Sequence, residues 1–155
     1  MSTEIRRATV ADAETVHTML CELADYQDER VHVTATVEDW RGFLGRDEVV
    51  VLLAEVDGQP AGYVSSLRRP YLWGGGDQLA LDDLYVREQY RDGGFGRQLM
   101  LALARHALPD RLPISWGLRL ANKDGYRFYE RLGAKLVTKT VAGWSPDVYE
   151  RQLSE

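Results

Sequence analysis

Two groups of residues have the types and spacing to do chemistry. Arg91-Asp92-Gly93-Gly94-Phe95-Gly96 stands between an apolar run, Leu79 to Val86, and a helix-like stretch, Arg97 to Ala107. A strand feeding a glycine-rich turn that feeds a helix exposes backbone N–H groups at the positive end of a helix dipole, and both favour an anion. The ligand this predicts is a pyrophosphate. The second group is the pair Asp82-Asp83, set inside the apolar run just ahead of the turn. Aspartate is a poor strand former and its carboxylate is costly to bury, so something must compensate its placement. Successive strand side chains point to opposite faces, which predicts one carboxylate on each face. A structural salt bridge is the alternative role, with as much claim on Asp83 as substrate contact.

A glycine cluster at a strand-to-helix junction can also serve only a tight turn and close packing. Its context excludes two familiar phosphate binders. A phosphate-loop nucleotidase needs Lys-Ser/Thr directly after its last glycine, whereas Gly96 is followed by Arg97-Gln98. A dinucleotide fold places the turn in its first strand–helix unit, with an acidic residue about 20 positions on. Here the turn comes two-thirds of the way along, after an antiparallel hairpin. The other glycine-rich stretch, Pro70-Tyr71-Leu72-Trp73-Gly74-Gly75-Gly76, leads into no helix and reads as a turn.

The elements that must position these residues follow from periodicity and capping. Glu4 to Ala8 reads as a strand, and Thr9 with Asp12 forms a capping box for a helix ending near Tyr26. Val16, Met19, Leu20 and Leu23 make its buried stripe. Thr36 opens a shorter helix that Gly45 closes. Val49 to Val56, Asp57-Gly58 and Gln59 to Leu67 read as a hairpin. After the glycine turn, Phe95, Leu99, Ala102 and Leu103 share a helical face, and Ile114 to Leu118 reads as a strand. Asn122 and Gly133 bracket a helix carrying Tyr126, Phe128, Tyr129 and Leu132, on which periodicity reads Tyr129 as a core aromatic. Lys135 to Thr140 and Val148 to Leu153 read as closing strands. The mixture predicts one α/β domain over residues 1–155.

Composition narrows the class. At 155 residues, with 45% hydrophobic and 28% charged side chains, the chain reads as one soluble globular domain. A formal net charge of -5 lacks the basic footprint that nucleic acid requires and leans towards cationic partners. The single cysteine, Cys21, and the scattered His17, His32 and His106 offer no metal-ligand spacing, so no metal is expected. Met1-Ser2-Thr3-Glu4 lacks the regions of a signal peptide and no apolar run reaches membrane-spanning length, so no membrane partner and a cytoplasmic location are expected.

Arg91-x-x-Gly94-x-Gly96, preceded by Leu81 to Val86, resembles the coenzyme A motif of the GNAT superfamily of acetyl-CoA-dependent N-acetyltransferases. Ile5-Arg6-Arg7-Ala8-Thr9, the Asn122 to Tyr129 helix and Phe128 to Ala134 sit at that superfamily's places, so the resemblance spans nearly the whole chain. The similarity extends to the spermidine/spermine type of diamine N-acetyltransferase through Glu22 to Tyr26, Pro70 to Trp73, Asp82-Asp83 and Gly143-Trp144. It implies a mostly antiparallel central sheet with a splayed parallel pair, flanked by helices, and pantetheine bound to backbone groups of Leu84, Tyr85 and Val86. The pyrophosphate would sit on Arg91, Asp92, Gly93, Gly94, Phe95, Gly96 and Arg97, with Asn122 a further coenzyme contact.

The resemblance implies Tyr129 as the general acid that protonates the coenzyme thiolate, and Asp82 as the residue that binds the amine and, through water, takes its proton. Asp83, Tyr26, Asp28, Glu29 and Trp73 would line the acceptor side. The implied acceptor is a small primary amine: a polyamine, or a diamino acid such as thialysine or lysine. An aminoglycoside-like antibiotic, a protein lysine, and a non-catalytic acyl-CoA-sensing role are the alternatives. A homodimer through Lys135 to Leu153 is also implied. Three residues depart from the pattern: Asp92 puts a negative charge beside the pyrophosphate seat, Gly125 replaces a hydroxyl that relatives offer pantetheine, and Gln27 replaces an acid of the diamine subgroup.

Overall fold

Asp57 and Gly58 both take positive φ, 50° and 78°, making the two-residue turn that an Asp-Gly pair favours. In the computed structural model, which describes residues 1–155, this turn joins β2 (Val49–Val56) to β3 (Gln59–Pro70). Around the hairpin lies a five-stranded sheet in the order β1-β2-β3-β4-β5, with β1 at Thr3–Arg7, β4 at Asp77–Val86 and β5 at Ile114–Ser115. The first three pairings are antiparallel and β4–β5 is parallel. The expected strand Ile114 to Leu118 is thus cut to two residues, and Gly117, a weak strand former, stands just beyond its end. Its register, Leu79↔Ile114 and Ala80↔Ser115, leaves β4 without an outer partner from Leu81 onward.

Helices cover both faces. Ala13, Val16, Met19 and Leu23 of α1 (Ala13–Tyr26) join Leu44 of α2 (Val37–Leu44) over Val51, Leu53, Tyr63 and Tyr85. Val50 and Leu52 point the other way and are equally buried, because α3 (Phe95–Ala107) packs Phe95, Leu99 and Leu103 against β2, β3 and β4. The β3–β4 ladder contains one irregularity: Ser65 pairs with Asp83 and Ser66 with Leu81, so Asp82 is an inserted, unpaired residue.

Met1–Gly117 forms one compact unit and Leu118–Glu155 a second. In the second, α4 (Lys123–Arg131) is capped by Asn122, whose side-chain oxygen accepts from the Gly125 N–H at 2.9 Å, and Gly133 ends it at φ 83°. The two expected closing strands do not form. Residues 134–145 hold no regular element, since a strand needs an edge to pair with and none lies within this unit. Val148 to Leu153 is helical, as part of α5 (Pro146–Leu153). Ser145 accepts from the Val148 N–H, Pro146 occupies the first turn and Asp147 faces the helix dipole, and together they outweigh one β-branched valine.

The Thr9–Asp12 capping box forms as expected, with the Asp12 carboxylate accepting from the Thr9 N–H at 2.8 Å. Arg6 also donates both terminal nitrogens to Asp12, at 2.9 and 2.8 Å, tying β1 to the start of α1. This bond to Arg6 is the main reason the Asp12 carboxyl is held below its ordinary range. A depressed folded-state pKa gives stability that is present above the unfolded pKa and lost as pH falls through the folded one. Asp12→Asn is therefore expected to destabilise the protein by about 1–3 kcal/mol at pH 7, with the difference from wild type shrinking in acid. Urea unfolding at both pH values measures it.

Candidate active site

The turn between β4 and α3 is built for close approach to backbone. Asp92 and Gly94 lie in the left-handed region, at φ 65° and 81°, and α3 begins at Phe95, two residues ahead of the expected Arg97. A side-chain carbon on Gly93 would come 2.9 Å from the Phe95 ring. The N–H groups of Phe95, Gly96 and Arg97 belong to a first helical turn and have no intrahelical acceptor; the Gln98 N–H, at 3.0 Å from the Gly94 carbonyl, is the first that does. No acidic side chain in that turn opposes an anion. The Arg91 amide is different, for it donates back to Glu88 at 3.2 Å within a short 3-10 turn. The side chain of Asp92 is exposed.

The outer edge of β4 leads straight into this turn. The Arg87 N–H donates to the Ala61 carbonyl at 2.8 Å, which fixes the alternation of the strand. Tyr85, two residues earlier and opposite Tyr63, therefore points its backbone groups into β3, and its carbonyl lies 2.4 Å from where a side chain on Gly62 would begin. Leu84 and Val86 alternate with it and face the edge that β5 has left. Of the three residues read from sequence as backbone contacts, two thus have groups on the open edge and Tyr85 has its groups in the ladder. The Val86 carbonyl accepts from Arg91 Nε at 3.1 Å, and the same guanidinium sits 4.7 Å from the centre of the Tyr26 ring. Arg91 so joins the glycine turn to the end of α1.

The two aspartates do not divide between faces by simple alternation. Ser65 and Ser66 are consecutive on β3 and face opposite sides, so their partners Asp83 and Leu81 do too, although they stand two positions apart along β4. The inserted Asp82 absorbs the change of phase. Asp83 is half-buried on the α1 face, where the fully buried Tyr63 donates its hydroxyl to Oδ2 at 3.3 Å. The Asp83 N–H donates to the Ser65 hydroxyl at 3.1 Å. Burial is the main cause of a raised Asp83 pKa, with the Asp82 charge adding to it and the Tyr63 bond opposing it. Asp82, contrary to a buried placement, is exposed because it is the inserted residue; partial loss of surrounding water shifts its carboxyl upward and the Arg69 charge works against that shift.

Tyr63 and Ser65 were not among the residues singled out from sequence; their signal is a polar pair in the middle of an apolar strand. Glu22, Tyr85 and Arg87 form a second unanticipated group. Glu22 accepts from the Tyr85 hydroxyl at 3.0 Å and from Arg87 at 3.0 and 2.9 Å, fastening α1 to the end of β4. Of the loop residues expected on the acceptor side, Tyr26 meets the Arg91 guanidinium while remaining exposed, and Asp28 and Trp73 are exposed as well, Trp73 almost completely.

In the second unit Tyr129 is buried on α4, edge-on to Phe128 with ring centres 5.1 Å apart, and burial raises its phenol pKa. Its proton is therefore held through the neutral range. The side-chain oxygen of Asn122 is taken up in capping α4. A side-chain carbon on Gly125 would fall 2.6 Å from the Asn122 amide nitrogen, so the missing hydroxyl at Gly125 is linked to this cap.

The sequence profile of the Acetyltransferase (GNAT) family matches residues 14–134. The chain belongs to the GNAT acetyltransferase family. It is 29% identical over 142 residues to a thialysine N-epsilon-acetyltransferase of Caenorhabditis elegans, covering 91% of this chain and 88% of that one. It is 30% identical over 159 residues to a thialysine N-epsilon-acetyltransferase of Mus musculus, covering 92% and 89%. An integron cassette protein from the mobile metagenome of V. cholerae shares the fold, at TM-score 0.80 and 22% identity over 100% of this chain and 99% of that one.

A GNAT enzyme of this kind is an acetyl-CoA-dependent N-acetyltransferase. The residues present fit the coenzyme: free first-turn amides and closely approachable glycines suit its diphosphate, and the Leu84 and Val86 edge suits an amide-bearing arm. Valine at position 94 would have to adopt a left-handed backbone, which a β-branched residue resists. Gly94→Val is expected to weaken acetyl-CoA binding by at least about tenfold, read by calorimetry on folded protein; an unchanged Kd would remove the turn from coenzyme binding.

Proposed function

We propose that this acetyltransferase acetylates a primary amine of a small cationic acceptor, a diamine, polyamine or diamino acid of the thialysine or lysine kind, by direct transfer in a ternary complex. The observation that carries the reading is the pair Asp82-Asp83 at the β4 bulge, two carboxylates kept close together in spite of their mutual repulsion. Such a pair attracts an ammonium group, and the net charge of -5 has the same sign. The names of the nematode and mouse relatives agree with a diamino acid. Gln27, in place of an acid, favours a short acceptor over a long polyamine.

Acetyl-CoA supplies an activated acetyl group and a thiolate leaving group. The chain's residues handle the protons. As the amine nitrogen bonds to the acyl carbon and the carbon–sulfur bond breaks, Asp82 receives the amine proton through water and Tyr129 gives its phenolic proton to the departing sulfur. Burial suits Tyr129 to this role by keeping it protonated, and the raised pKa of Asp82 suits a group that must gain a proton. The profile match runs from residue 14 to 134, across both compact units, which supports reading them as one catalytic domain.

A homodimer belongs to the same reading. Residues 134–145 lack regular pairing and expose Val137, Val141 and Trp144, which suits them to a second copy of the chain. The reading also includes action in the cytoplasm, where acetyl-CoA is available; no helix is long and apolar enough to cross a membrane.

Thiol release from acetyl-CoA across a panel of amines tests the acceptor class, and a panel without turnover would contradict the reading. Tyr129→Phe is expected to lower kcat by about 10²-fold or more with coenzyme Kd unchanged; an unaltered rate would take Tyr129 out of the chemistry. Asp82→Asn is expected to raise the acceptor KM or lower kcat and to flatten the acidic limb of the pH profile, and retention of all three would make Asp82 structural.

A further inference from the structure

We propose that Tyr63 is a positioning residue for the acceptor: it holds the Asp83 carboxylate at the β4 bulge by one oxygen, leaving the other to receive the acceptor's ammonium group. This rests on the amine-acceptor reading above and adds Tyr63 as the group that fixes one member of the Asp82-Asp83 pair.

The geometry is specific. A bulge interrupts the ladder between Ser65 and Ser66, and at that interruption the Asp83 N–H is taken up by a side chain, the Ser65 hydroxyl at 3.1 Å. Asp83 is thus anchored by its main chain to Ser65 and by Oδ2 to the Tyr63 hydroxyl at 3.3 Å. Tyr63 is 0% exposed, and its ring packs against Tyr85 at 6.2 Å within the α1–β-sheet core. A buried phenol needs a hydrogen-bond acceptor, and its ring cannot swing away without opening the core. Phenylalanine would fill the same volume without that requirement. The hydroxyl therefore serves Asp83, whose ionised form accepts it at Oδ2 and attracts a cation.

The charged and titratable groups around this carboxylate come from three elements. Asp82 on β4 repels it, and Arg69 on β3 offsets Asp82. Tyr85 on β4 and Cys21 on α1 act on Tyr63, and Glu22 on α1 accepts from Tyr85 rather than from Asp83. The carboxylate of Asp83 accepts from the Tyr63 hydroxyl, and its main chain donates to the Ser65 hydroxyl. That leaves a carboxylate whose ionised form is favoured by Tyr63 and disfavoured by burial and by Asp82, an arrangement that an ammonium ion completes.

Tyr63→Phe tests the proposal. The variant should raise the acceptor KM by about tenfold, leave the coenzyme Kd unchanged, and move the acidic limb of kcat/KM for the acceptor to higher pH, because the lost bond favoured the ionised form. In an Asp83→Asn background the same substitution should add nothing to KM. Carboxyl-carbon NMR of the coenzyme-free protein gives a readout independent of turnover: the Asp83 pKa should rise in Tyr63→Phe. An Asp83 titration and an acceptor KM both unmoved, or an effect of equal size without the Asp83 carboxylate, would overturn it, as would a lowered Tm with kinetics intact. Should Asp83→Asn itself leave the acceptor KM alone, the amine reading of this carboxylate fails instead, and the two failures are told apart.

Discussion

β4 has strand partners on both edges only as far as Ala80, where its parallel neighbour ends, and the rest of the architecture depends on that loss. A strand edge with unpaired amides and carbonyls must be met by something else. Here the open edge, carried by Leu84 and Val86, runs directly into a turn whose first helical amides are also unmet. Backbone groups without a strand or helix partner therefore lie in series, those of the edge suited to an amide-bearing arm and those of the turn to a diphosphate. Arg91, which bonds to the Val86 carbonyl and covers the Tyr26 ring, occupies part of that edge and ties it to the end of α1.

The same strand carries the Asp82-Asp83 pair proposed for the acceptor, and a bulge sets that pair apart from the open edge. Inserting Asp82 shifts the phase of β4, so that Leu79 and Leu81 belong to the α3 face while Asp83 and Tyr85 belong to the α1 face. Apolar packing is kept on one side and a polar cluster is brought to the other. The cluster is costly for the fold, since burial and mutual repulsion both oppose ionisation of Asp83. Tyr63 and Ser65 offset part of that cost from β3, and the Glu22–Arg87 ion pair holds α1 over the same region.

Local signals made most of the fold legible. The Asp57-Gly58 turn, the Thr9–Asp12 capping box, the helix start at Thr36, and the Asn122 and Gly133 helix limits all depend on a few adjacent residues, and the structure has them. The GNAT resemblance, carried by the glycine turn and the strand before it, agrees with the family match and the mixed sheet. What was not legible depends on residues distant in sequence. The bulge at Asp82 is a register property of two strands, and strict alternation cannot reveal it. The pairing of Tyr63 with Asp83 spans 20 residues and looks from one strand alone like a core aromatic. Lys135 to Thr140 has no strand partner within its own unit, and Ser145-Pro146-Asp147 ahead of Val148 to Leu153 is a helix start rather than a strand start.

The central claim is that backbone amides on the open β4 edge and in the turn before α3 hold the coenzyme, and amide-resolved NMR during titration with acetyl-CoA tests it most directly. The account requires saturable shifts at Leu84, Val86, Gly94, Phe95, Gly96 and Arg97, with Tyr85 less affected because its groups stay in the ladder. Saturable binding that leaves those amides unmoved, or no binding at all, would contradict it.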